Sequence, residues 1–420
     1  MKIYSESYGC TQSRSETGLY VNSMLAEGNT LVSRPEEADM SIIGTCVVIK
    51  QTEDRMIRRI EEISRVSRVR VMGCLSTMNG GSLAQGNIEV LNSRDFRSFY
   101  SGRLDDIEIR EPSIFEGIPI NQGCTGSCNF CISHIARGKL LSRPPEKIRN
   151  QVLMQLEKGI REVRISSLDT AAYGKDIGVR LNDLVDAITS INDRFMLRVG
   201  MMEPRNTMEI LPQLVDSYRN NKVFKFLHLP VQSGDDRILE LMNREYRAEA
   251  FTRIVDEFRK NFPDMVISTD IISGYHGDDE QSFDATCRLI EAVKPDIINI
   301  TRFSPRPFTR DYSSAVPPSN AVKRWTRVYT DMHREITQAK LISHIGKLSR
   351  VIITETGKDG TVVGRDTSYR PVVIHGKFEK YSVMDAEVVD AAETYLIGKP
   401  VFTEDHQLQL SHPSRSSLSS

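Results

Sequence analysis

Three cysteines fall within eight residues, Cys124-Thr-Gly-Ser-Cys128-Asn-Phe-Cys131, in a loop that contains glycine. That density of thiols marks a ligand set, not casual core packing. A structural zinc site usually draws its four ligands from two CxxC-like pairs, and no second pair follows here. A cubane iron–sulfur cluster takes one ligand on each of four irons, so three cysteines leave one iron open. The spacing therefore favours a catalytic cluster over a sealed electron carrier. A three-cysteine zinc site completed by a distant fourth ligand is the alternative.

Three further cysteines, Cys10, Cys46 and Cys74, each follow a short β-type run, at 2–7, 38–43 and 69–72. Helical patterns at 16–27 and 53–64 separate these runs. Strands alternating with helices predict a parallel sheet with crossover connections. The carboxyl ends of such strands line one edge, where ligands bind. Cysteines 36 and 28 residues apart then meet in space. Gly9, Gly44 and Gly73 lie beside them and permit close backbone approach to a bulky ligand. Three buried core thiols are the plain alternative.

From about 111 to 345, strand and helix patterns alternate. Candidate strands lie at 117–121, 162–166, 195–200, 225–229, 266–271 and 296–301. Candidate helices lie at 145–158, 181–191, 207–218, 248–261 and 280–292. Six such units predict a partial (β/α) barrel, with functional residues at the C-terminal strand ends. The cysteine triad follows the first strand, Asp169 the second, 201–204 the third, Gln232 and Ser233 the fourth, and 274–278 the fifth. A helical segment at 320–347 carries six Lys/Arg against two acids. It reads equally as a solvated helix face or an RNA contact. Five β-type runs follow, a pattern for a small antiparallel barrel of the kind often used to grip nucleic acid. The expected fold class is α/β. It comprises an open parallel-sheet domain at 1–110, a partial (β/α)6 TIM-like barrel at 111–345, a small antiparallel OB-like β-barrel at 346–402 and a disordered polar tail at 403–420.

Composition narrows the class. The 420 residues carry 55 Lys and Arg against 56 Asp and Glu, which excludes a histone-like basic coat. Nucleic-acid contact must then come from local patches. No apolar run reaches the roughly 18 residues that cross a bilayer. The opening MKIYSESYGC lacks the apolar stretch of a secretion signal. Seven cysteines are thus expected as reduced thiols or ligands in a cytoplasmic protein.

The CxxxCxxC loop, with Phe130 before its last cysteine, resembles the motif of radical S-adenosylmethionine (SAM) enzymes. The whole chain resembles the methylthiotransferase family through an ordered set of segments. These are YGCTQSRSE at 8–16, GTCVV at 44–48, GCLS at 73–76 and INQGCTGSCNFC at 120–131. ARGKLLSRP at 136–144, LDTAAYGKD at 168–176, HLPVQSGDDRILELMNREY at 228–246, TDIISGYHGD at 269–278 and FSPRP at 303–307 complete it. The chain is most similar to the archaeal and eukaryotic branch. That branch acts on tRNA carrying N6-threonylcarbamoyladenosine at position 37 and adds a methylthio group to carbon 2 of the adenine.

The resemblance implies a radical SAM barrel, a TRAM barrel, SAM and two 4Fe-4S clusters. Cys124, Cys128 and Cys131 would hold the cluster whose open iron binds SAM, which one electron cleaves to a 5′-deoxyadenosyl radical. Cys10, Cys46 and Cys74 would hold a second cluster that presents sulfur for methylation and insertion, the methyl coming from a second SAM. A C–H bond on an aromatic base is too inert for acid–base catalysis, so the cofactors carry that difficulty. The barrel must exclude water to protect the radical. Implied partners are the tRNA anticodon stem-loop, a low-potential electron donor and a sulfur donor, with no membrane. The alternatives are the same chemistry on isopentenyladenosine in tRNA or on an aspartate of a ribosomal protein, and a non-catalytic iron–sulfur RNA-binding redox sensor.

The resemblance places Ser167, Asp169, Gln232 and Ser233 near SAM, with capping roles as the alternative for Asp169 and for the Gln232–Ser233 pair. Arg137 reads as a partner for a phosphate or the SAM carboxylate, or as a surface residue. His228 and His276 read as satisfied structural histidines, Cys287 as a helix-core thiol and Trp325 as a packing residue. Leu168 stands where relatives have Gln or Glu, Asp278 where Glu is common and Phe308 where Gly is common. Gly44 and Ser13 replace asparagines usual in the first domain.

Overall fold

The computed structural model describes residues 1–92, 96–99, 107, 109–111 and 117–401. The tail expected at 403–420 lies outside the described residues. Two compact units divide the chain, Met1–Met332 and His333–Ser420, with the boundary inside the helix Ser319–Ile342. No helix among the described residues is long and apolar enough to cross a membrane.

The first unit begins with a five-stranded parallel sheet in the order Thr30–Leu31, Lys2–Ser7, Met40–Thr45, Arg68–Gly73, Ile88–Val90. Its central strand Met40–Thr45 is buried along its whole length, as a strand covered on both faces must be. One face packs Ile3, Leu19, Met40 and Ile42 with helix Thr11–Ala26. The other packs Ile43, Val69 and Val71 with Ile60 and Ile63 of helix Lys50–Ser64. Met56, Ile60 and Ile63 form one buried stripe because four- and three-residue steps return to the same helix face. Each such fully buried aliphatic side chain contributes about 1.5–3 kcal/mol.

Six parallel strands then form the barrel wall. Ile118–Pro119, Glu162–Ser166 and Met196–Val199 make one hydrogen-bonded group, and Phe226–His228, Val266–Ser273 and Ile297–Arg302 make another. Between the groups, Leu197 bridges Val223, just ahead of Phe226–His228, and Met202 N–H donates to His228 O at 2.9 Å. The first strand is shorter than its β-type run. Ile120 N–H still donates to Ser166 O at 3.0 Å, and beyond it Asn121–Gln122 turns away to pair antiparallel with Leu141–Ser142. The helix expected over 207–218 is two, Pro204–Met208 and Leu211–Ser217, because Pro212 cannot donate to the preceding turn. Trp325 packs as expected, stacked on Phe283 with ring centroids 6.0 Å apart.

The second unit is a closed five-stranded barrel in the order Leu348–Thr356, Thr361–Asp366, Pro371–His375, Leu396–Val401, Val383–Ala391. Four of its pairings are antiparallel, and Pro371–His375 with Leu396–Val401 is parallel. Val351, Ile353, Val372, Ile374 and Leu396 fill its interior together with Leu341.

Candidate active site

Cys10 caps the helix Thr11–Ala26 in extended conformation, Cys46 directly follows Met40–Thr45, and Cys74 opens the helix Cys74–Met78 at the end of Arg68–Gly73. Three parallel strands thus deliver three thiols to one edge. Thr45 ties the turns together. Its hydroxyl donates to Met72 O at 2.6 Å and accepts from Leu75 N–H at 3.2 Å, while its carbonyl accepts from Ser13 Oγ at 3.1 Å. All three cysteines line one cavity of about 470 Å³. Burial pushes the Cys46 thiol up to about 11. Cys10 is open to solvent, yet the protein around it and the neighbouring Cys74 hold its thiol above the ordinary range.

The second triad is shaped by backbone clamps. Cys124 N–H donates to Gly138 O at 3.1 Å, and Asn129 reaches Leu241 O at 2.9 Å and Met242 O at 3.1 Å. Gly123, at φ +78°, could not carry a side chain, because a Cβ would overlap Lys139 O. Cys124, Cys128 and Cys131 line a smaller cavity of about 170 Å³. Burial pushes Cys124 up to about 12, with Asp169 adding to it, and Cys128 up to about 11 against the opposing charge of Arg244. The two cavities share Phe130, Cys131, Leu168, Met201 and Gln232 in their walls.

Arg137 does not take the surface role that was one of its alternatives. It is 3% exposed, on the helix Ile132–Arg137 that Cys131 caps. Its Nη1 pairs with Glu16, and its Nε donates to Cys74 Sγ at 3.3 Å. It is therefore not a surface residue, and it ties the helix after Cys131 to the thiol of Cys74. Burial opposes its charge, but Cys74 and Glu16 outweigh that and raise its pKa.

The donor set fits iron–sulfur clusters. Each triad supplies three free thiols to a cavity wall. Arg137 Nη2 and Arg244 Nε are buried without a hydrogen-bond partner among the described residues. Such orphaned cationic donors beside thiols suit an anionic, sulfur-rich group. Among the described residues, no three His, Cys, Asp or Glu side chains close on the single point that one metal ion needs. A cubane does not need such a point, since each thiolate takes its own iron.

The remaining expected residues divide. Gln232 lines both cavities and holds φ +73°, a left-handed backbone rare for a non-glycine residue. Ser167 lines the larger cavity and bonds Asn121. Asp169 lines the smaller one and also caps: its carboxylate accepts from Ala171 N–H at 3.0 Å, Glu203 N–H at 2.9 Å and Asn206 Nδ2. Burial, with help from Glu203, pushes Asp169 up to about 6. Ser233 lies off both walls; its hydroxyl accepts Asp235 N–H at 3.2 Å ahead of the helix Asp236–Leu241. His228 is satisfied by Asp270 at 3.0 Å, and Asn299 donates to the same carboxylate at 2.7 Å, all three on the larger cavity. Glu203, Asn206 and Arg244 were missed as individual residues. The strand-end position of 201–204 was the signal for the first, Arg244 sits in the quoted segment 228–246 without being singled out, and no local pattern marks Asn206.

Three family profiles match the chain. "Radical SAM superfamily" matches residues 118–290, "Uncharacterized protein family UPF0004" residues 2–91 and "TRAM domain" residues 343–401. A Pyrococcus horikoshii protein named "Probable threonylcarbamoyladenosine tRNA methylthiotransferase" is 34% identical over 95% of this chain and 99% of its own length. A Drosophila melanogaster protein named "Threonylcarbamoyladenosine tRNA methylthiotransferase" is 30% identical over 89% of this chain and 72% of its own. Among solved structures, a radical S-adenosylmethionine methyltransferase, TsrM, from Kitasatospora setae superposes with a TM-score of 0.56 at 13% identity. It covers 74% of this chain and 77% of its own, and shows a shared fold.

Proposed function

The chain belongs to the threonylcarbamoyladenosine tRNA methylthiotransferase family, and from that premise we propose that it adds a methylthio group to carbon 2 of N6-threonylcarbamoyladenosine in tRNA by radical SAM chemistry. The observation that carries this reading is the pair of thiol-lined cavities with common walls at Cys131, Leu168, Met201 and Gln232. Cys124, Cys128 and Cys131 would hold one 4Fe-4S cluster, and Cys10, Cys46 and Cys74 a second. When bound, the clusters and SAM supply the radical that breaks the inert C–H bond and the sulfur that replaces the hydrogen.

The protein's own part is to bind, orient and shield. Gln232 stands on the partition between the cavities, where it would contact SAM on one side and the adenine on the other. Ser167 is held by Asn121. Asp169 acts through Glu203 and Asn206, whose positions it sets; Ser233 orders the turn behind Gln232. Apolar Leu168 and Met201 on the partition exclude water from the radical's path. Residues 1–110 would carry the sulfur-inserting site, 111–345 the radical site and 346–402 a tRNA grip. A low-potential electron donor and a sulfur donor are required, and the cytoplasm is the compartment that fits a tRNA substrate.

Mass spectrometry of tRNA nucleosides from cells with and without the gene tests the reading. Loss of the methylthio form with accumulation of threonylcarbamoyladenosine is expected. An unchanged nucleoside profile would refute the assigned substrate.

A further inference from the structure

We infer that the turn at 307–312 is an RNA-stacking platform beside the larger cavity, where Phe308 and Tyr312 receive bases splayed from the anticodon loop and Arg310 meets the backbone phosphate. The inference rests on the tRNA reading above and adds the surface that would hold the loop.

The segment leaves the last barrel strand, Ile297–Arg302, and follows the cavity wall through Phe303, Ser304 and Arg306 before it turns outward. Three buried residues fasten it. Arg306 pairs with Glu53, Thr309 Oγ1 donates to Arg306 O at 2.7 Å, and Asp311 accepts from the Tyr275 hydroxyl. Asp311 Oδ1 also lies 3.2 Å from His276 Nε2. Arg306, Thr309 and Asp311 are all buried. Phe308 and Arg310 between them, and Tyr312 just after, are exposed. Phe308 is 68% exposed, the most exposed large apolar side chain among the described residues, and Tyr312 is 51% exposed. Arg310 is exposed, with no partner among the described residues.

The backbone sharpens the point. Phe308 holds φ +72°, a region where glycine sits freely and a side chain does not. Such strain persists where the surroundings over-determine it, and it clusters at functional sites. Here the buried anchors on both sides supply the constraint. A rigid turn that would be relaxed with glycine instead displays a bare aromatic ring. Proteins that grip single-stranded RNA use such rings, because every base has a face to stack and cations nearby hold the phosphates. An adenine entering the cavity must leave its own stack, and its neighbours then need a surface outside.

The test uses the full-length protein and a labelled anticodon stem-loop RNA carrying threonylcarbamoyladenosine, with Kd and thermal midpoint measured together. Phe308→Gly is expected to hold or raise the midpoint by relieving the backbone, while weakening RNA binding about tenfold. Phe308→Tyr is expected to restore binding. An unchanged Kd in Phe308→Gly, with wild-type protein binding normally, overturns the platform and leaves the tRNA reading standing. A Phe308→Gly protein that loses stability and binding together assigns the ring a packing role and also overturns the platform. Wild-type protein that fails to bind the RNA removes the tRNA reading, and the platform with it.

Discussion

Arg137 Nε donates to Cys74 Sγ at 3.3 Å, while the Nη1 of the same guanidinium pairs with Glu16. One side chain from the helix after the barrel's cysteine loop thereby holds a thiol and a carboxylate of the amino-terminal sheet domain. Gln12 extends the contact, its Nε2 reaching both Glu16 at 2.8 Å and Asn121 O at 3.0 Å. The two thiol-lined cavities are held in register by this buried polar seam.

Removing one side of that seam leaves a buried charge unpaired. Arg137→Met is expected to destabilise the apoprotein by about 3–5 kcal/mol in urea unfolding, and the double variant with Glu16→Gln to recover most of the loss. Equal instability of the single and double variants would show that the guanidinium acts by shape alone.

The proposed division of the six cysteines makes two activities separable. Cys128→Ala is expected to abolish production of 5′-deoxyadenosine from SAM and to lower bound iron by about four per chain. Cys46→Ala is expected to cost the same iron, keep SAM cleavage and stop methylthio product. Wild-type product yield from Cys46→Ala would place the sulfur-inserting site elsewhere.

Gly123 allows a test that touches no thiol. At φ +78°, Gly123→Ala drives a Cβ into Lys139 O, a backbone atom that cannot swing aside. The variant is expected to misplace Cys124 and lose about four irons while the amino-terminal site stays loaded. Full iron content after anaerobic reconstitution would show that the loop tolerates the shift.

Asp278 links stability to pH. Burial pushes its carboxyl up to about 6, against hydrogen bonds from Ser282 and the Gly274 and Tyr275 amides. The folded value lies above the unfolded value of 3.8. Between these two values the folded chain holds a proton the unfolded chain has lost, so stability falls as pH rises and levels off above about 6. Asp278→Asn can accept both amides and donate to Ser282, so it should be more stable than wild type by about 2 kcal/mol at neutral pH and lack this slope. Parallel urea midpoints for the two proteins at acid and neutral pH would contradict this.

Local pattern was enough to read the alternation of strands and helices, the closed terminal barrel and the thiol-bearing strand ends. Strand and helix periods are properties of a few consecutive residues, and parallel topology puts carboxyl ends on one edge. The same logic makes neighbours of Cys10, Cys46 and Cys74. It could not decide Arg137, whose burial against Glu16 and Cys74 excludes the surface role. Its partners lie 121 and 63 residues away in sequence. Nor could it separate Gln232 on the cavity wall from Ser233 behind it, since adjacent residues diverge only once the turn's dihedrals are set. Sequence by itself determined which elements form and which chemistry they can carry. Tertiary structure alone decided which charges are buried against which thiols and which aromatic rings face water. Desolvation and pairing depend on distances between segments that no local period encodes.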